Sequence, residues 1–139
     1  SIPAIFGLKE RAWEYVAYKQ HTRIGKLYFT HDVGSAGRHA ATKALDTYQH
    51  SVITGHVHRL QYIVEGNAVG EFKLSAMFGW LGDAKQIDYM HQVNVSKNWA
   101  LGFGFGYIAP DGIAYLTPVP IITTKGKYSC VVNGTYFSN

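Results

Sequence analysis

The sequence predicts an α/β, strand-rich domain, and three observations carry that prediction. Two short apolar runs, near residues 26–30 and 52–54, flank a stretch of helical period in which Ala41, Ala44, Leu45 and Tyr48 share one stripe. Beyond residue 60 the apolar residues alternate and are punctuated by Gly66-Asn67, Pro110-Asp111-Gly112 and Asn133-Gly134, which are hairpin and turn signals. Ten tyrosines, seven phenylalanines and fifteen glycines weight the composition toward strands and turns. At 139 residues the chain is expected to be a single domain over 1–139, long enough to bury one core.

Taken in order, residues 1–8 read as a short helical turn. Residues 13–18 alternate large and small side chains and predict a first strand, with a turn at 23–25 and a second strand at 26–30. A helix follows over about 37–49, with Ser35 placed to cap it. Strands are expected at 60–65 and 71–75 around Gly66-Asn67. Residues 77–83 are too glycine-rich for a helix and too apolar for a free loop, so they should pack beside the site. In residues 100–108 glycine alternates with large side chains, which predicts a strand whose bare face lets another layer approach closely. The remaining strands fall at 113–116, 130–132 and 135–137.

The chemistry concentrates where strands end. His31 follows the second strand, and Gly55-His56-Val57-His58-Arg59 follows the third. A strand–helix–strand unit of this length suits a parallel crossover, which brings both strand ends to one edge of the sheet. His56 and His58, two apart on an extended backbone, would face the same way, and Gly55 would supply the exit from the strand. An isolated His-x-His is more often a pair of hydrogen-bonded loop residues. Three histidines gathered at one edge are instead a metal-ligand pattern, so His31, His56 and His58 are the candidate ligands. Arg59 is placed to meet a phosphate bidentately.

Other readings are weaker. A formal charge of +4 with scattered lysines and arginines leaves nucleic acid open as a partner but marks no groove. Cys130 is the only cysteine, so no internal disulfide forms and a reducing, cytoplasmic setting is expected; its valine neighbours predict a buried, inert thiol. No apolar run is long enough to span a bilayer. The glycines of residues 102–106 lack the strand-to-helix turn of a dinucleotide site. Ser35 near His31 and Asp32 lacks the elbow of a hydrolase nucleophile. His21, His39, His50 and His91 have no ligand spacing, and Asn94-Val-Ser96 and Asn133-Gly-Thr135 match the glycosylation pattern only by its brevity.

His31 after one strand, a helix, and Gly55-His56-Val57-His58 after the next strand together resemble the last two motifs of the calcineurin-like metallophosphoesterases. Residues 76–83 and 98–107 are similar to the branch of that family carried by tailed bacteriophages. The resemblance implies the carboxyl-terminal half of an α/β/β/α sandwich. It also implies two divalent transition-metal ions (Mn, Zn, Fe or Ni), His31 and His56 on one and His58 on the other, activating a water that attacks phosphorus. The implied substrate is a phosphomonoester or phosphodiester.

The family's earlier Asp-x-His, Gly-Asp-x-x-Asp and Gly-Asn-His motifs do not precede His31. Gly66-Asn67 and Gly82-Asp83 come too late to replace them, and no residue here takes the catalytic role. The chain is therefore expected to be the carboxyl-terminal part of the enzyme, weakly active or inactive alone. Its partner would be the missing amino-terminal part or another copy of itself, through an exposed sheet edge. Two further classes compete: a noncatalytic module binding nucleic acid or protein around a degenerate metal site, and a strand-rich assembly protein.

Overall fold

The computed structural model describes residues 1–83 and 98–139. The expectations for His91 and Asn94-Val-Ser96 lie outside the described residues.

The crossover unit is present and sets the architecture. Strand β1 (His21–Ile24) and β2 (Leu27–Thr30) form a hairpin, α2 (Ala40–Tyr48) crosses over, and β3 (Ser51–Thr54) returns parallel to β2 with Leu27 opposite Ser51 and Thr30 opposite Thr54. A second hairpin, β4 (Leu60–Gly66) and β5 (Phe72–Phe78), adds β5 parallel to β3, giving a mixed sheet in the order β1-β2-β3-β5-β4. Two antiparallel units follow. One is the ribbon β6 (Gly102–Ile108) with β7 (Ala114–Pro120). The other is a three-stranded sheet of β8 (Ile122–Thr124), β9 (Lys127–Val132) and β10 (Thr135–Ser138). A four-residue helix, α1 (Ile2–Ile5), opens the chain.

Each face of the mixed sheet has its own cover. On one side Ala40 and Ala41 of α2 pack on Met77 and Ile63, with Val57 from the loop after β3. On the other, Leu27 and Leu74 meet Ala114 of the ribbon, flanked by Phe29, Ile53 and Leu116. The alternation along β2, β3 and β5 thus divides into a helix-facing and a ribbon-facing set. The bare face of β6 serves as the sequence predicts: a Cβ at Gly104 would stand 2.5 Å from the Phe78 ring, so only glycine lets β6 lie this close. In the Asn133-Gly134 hairpin both residues have positive φ (49° and 79°), the geometry of a type I′ turn.

Four local expectations need correction. Residues 13–18 form no strand, and Trp13 is 70% exposed. The first strand is His21–Ile24 instead, because the two-residue turn at Gly25 (φ +58°) requires its partner strand to begin at once on either side. Ser35 does not cap α2, whose N-cap residue is His39 with no capping side chain. Gln61 of β4 satisfies the helix start from outside. Its Oε1 accepts the Ala41 N–H at 3.0 Å and its Nε2 donates to the Arg38 carbonyl at 2.7 Å. Cys130 is half-buried rather than buried, across from Phe137.

The fourth correction concerns the His-x-His loop. Gly55 stays in the ladder, donating its N–H to the His31 carbonyl at 3.1 Å, and the left-handed turns fall on His56 (φ 63°) and His58 (φ 55°). The loop is not extended, so the two-residue rule for side-chain direction does not govern it.

Candidate metal centre

The register of β2 and β3 builds the site. Thr30 opposite Thr54 leaves His31 and Gly55 side by side at the carboxyl edge, and the next residue, His56, turns back over His31. His56 Nδ1 then lies 3.3 Å from His31 Nε2, with the rings 5.2 Å apart and inclined at 73°. Val57 anchors the loop: it is 8% exposed, packs with Ala40, Ala41 and Met77, and donates its N–H to the Gly55 carbonyl at 2.7 Å.

His58 leaves the loop in another direction. Its ring lies 4.2 Å from that of Trp99 and 5.3 Å from that of Trp80, and the two indoles meet edge to face at 4.9 Å. The backbone holds this cluster in place, since Ala100 N–H donates to the His58 carbonyl at 2.9 Å and Gly79 N–H to the Arg59 carbonyl at 2.8 Å. Residues 77–83 therefore do pack beside the site. His58 Nδ1 is buried without a hydrogen-bond partner. Burial, and then the neighbouring His56 and His31, push its imidazole below the ordinary histidine range, so it is held neutral with a lone pair to offer.

Asp32 and Tyr18 belong to the same edge, and sequence reasoning missed both. Tyr18 donates its hydroxyl to Asp32 Oδ2 at 3.1 Å, and Gly34 N–H donates to Asp32 Oδ1 at 2.7 Å. The Gly34 N–H does most to hold the Asp32 carboxyl below its usual range. Burial opposes it, and the Tyr18 hydroxyl, His56 and His31 add to it. The bond to Asp32 in turn pushes the Tyr18 hydroxyl up. The one available signal was the adjacency of Asp32 to His31; nothing local points to Tyr18.

The donor set suits an ion in part. Two nitrogens on one tetrahedral ion, each about 2.0–2.1 Å from it, stand about 3.3–3.4 Å apart, which matches His31 and His56. Among the described residues no three His, Cys, Asp or Glu side chains are placed to hold one metal ion together. The described residues thus present two nitrogens at chelating distance with a separate neutral imidazole beyond them. Arg59 is half-buried, and among the described residues its guanidinium has no hydrogen-bond or ion-pair partner. No helix among the described residues is long and apolar enough to cross a membrane.

No family model, curated protein or solved structure matches this chain.

Proposed function

We propose that the chain forms part of a metal-dependent phosphoesterase of the calcineurin-like type, similar to its tailed-phage branch, and corresponds to the carboxyl-terminal half of that α/β/β/α sandwich. The observation that carries this reading is the 3.3 Å approach of His31 and His56 at the carboxyl ends of two adjacent parallel strands. His31 and His56 hold one divalent transition-metal ion (Mn, Zn, Fe or Ni), and His58 contributes to a second. The ions, when bound, supply Lewis acidity and lower the pKa of water. Arg59, whose guanidinium has no partner among the described residues, meets the phosphate of a phosphomonoester or phosphodiester.

In this reading the acidic remainder of the ligand set comes from a partner segment or a second copy. The one free thiol accords with work in a reducing cytoplasm, the host's if the chain is phage-encoded. A noncatalytic module binding nucleic acid or protein is the second reading. It is favoured by the packing of His58 against Trp80 and Trp99, which leaves the metal site short of ligands.

Zinc titration followed through the histidine ring resonances tests the reading. The expected result is that His31 and His56 shift together at one equivalent of zinc, while the chain alone hydrolyses bis(4-nitrophenyl) phosphate at the background rate. Unmoved histidine resonances would remove the metal site. Fast metal-dependent hydrolysis by the chain alone would remove the need for a partner segment.

A further inference from the structure

Beside His31 the carboxyl edge contains a cavity of about 420 Å³, within the range of about 300–1,000 Å³ common for small-ligand sites. Val16, Tyr18, Phe29, Ile53 and Phe78 form its apolar and aromatic walls, and His31 and Gly55 join it to the candidate metal centre. Among the described residues no Lys, Arg, Asp or Glu lines it. A phosphate or a sugar-phosphate chain entering this space would lose hydration and meet no cation. A planar apolar group would leave water and face three aromatic side chains at once.

We infer that this cavity binds an uncharged aryl group. On the phosphoesterase reading above, on which the next step rests, the substrate is an aryl phosphate ester whose ring fills the cavity while its phosphate lies at His31 and His56. The continuity of cavity and histidine pair makes one ligand serve both. Segment 16–18 forms one side of it, fastened by the Tyr18–Asp32 hydrogen bond and by Thr30 Oγ1, which donates to the Gln20 carbonyl at 3.0 Å.

The test uses the full chain without metal and 2-naphthol as a neutral probe, followed by fluorescence titration and by amide chemical shifts. Saturable binding is expected, with shifts centred on Phe29, Thr54 and Phe78. Ala17→Trp, which fills the cavity from its exposed outer wall, should weaken it at least about tenfold at unchanged melting temperature. Absence of saturable binding, or shifts centred on Tyr28, His50 and Lys73 at the opposite edge, overturns the inference. Zinc should tighten binding of 2-naphthyl phosphate but not of 2-naphthol. If 2-naphthol binds as expected and zinc does nothing for its phosphate ester, the aryl site stands and the phosphoesterase reading falls.

Discussion

The two edges of the parallel strands are built from different materials. At the amino edge a cavity of about 890 Å³ is lined by Arg23, Lys26, Lys73, Glu65 and Glu71, with Tyr28 and His50 among its walls. Its groups largely serve one another: Lys73 Nζ donates to Gln49 Oε1 at 2.9 Å, Arg23 lies 5.9 Å from the Tyr28 ring, and His21, Tyr48 and His50 surround that same ring. Among the described residues the carboxyl edge has few charges and two buried polar atoms without partners, His58 Nδ1 and the Thr54 hydroxyl. The amino edge is a solvated surface on which Arg23, Lys73 and Glu71 have partners of their own. Reactivity needs groups with bonding capacity left over, and those collect where the crossover loops begin.

Both edges belong to one sheet, so the largest expected effect should abolish the comparison altogether. Leu74→Ala, at a position 1% exposed between sheet and ribbon, should cost about 2–5 kcal/mol in urea unfolding and weaken both edges together. Replacing histidines edge by edge should sharpen the contrast. His56→Ala should lower zinc affinity by at least the about 10–100-fold that follows loss of a ligand's supporting partner. His50→Ala, at the opposite edge, should leave that affinity unchanged; isothermal titration separates the two.

A smaller effect has the opposite sign. His56 has a φ of 63°, a conformation that costs a non-glycine residue about 1 kcal/mol or more, so His56→Gly should raise the stability of the metal-free chain by about that amount while weakening zinc binding. The smallest effect is the pH dependence of stability. His58 has a folded pKa below its ordinary value near 6.5. As pH falls through about 6.5 the unfolded chain takes up the proton first, so the stability contributed by neutral His58 is present above that pH and is lost below it. Wild-type protein should therefore lose more stability than His58→Gln between pH 8 and pH 5, as chemical denaturation at each pH would report.

The crossover was legible because its signals are local: a stripe of small apolar residues between two short strands leaves few arrangements. The hairpins at Gly66-Asn67 and Asn133-Gly134, and the close approach at Gly104, were legible for the same reason. Residues 13–18 misled because alternation reports a half-buried strand only when another strand pairs with it, and here the neighbouring turn at Gly25 claims residues 21–24 instead. The capping of α2 by Gln61 joins residues twenty apart and leaves no local trace. Within the site, the meeting of His31 and His56 follows from topology. The packing of His58 against Trp80 and Trp99, and the reach of Tyr18 to Asp32, depend on long-range contacts that no spacing rule encodes.

The left-handed turns at His56 and His58 also bear on descent. Glycine and asparagine fit those torsions more easily than histidine, so mutation without selection for metal would drift toward them and gain stability on the way. On the metal-binding reading proposed above, a lineage that lost the ion should carry Gly or Asn at 56 and 58 before any change reached Val57, whose burial alone preserves it. The loop then keeps a readable record, in which the order of replacements separates a working centre from an abandoned one.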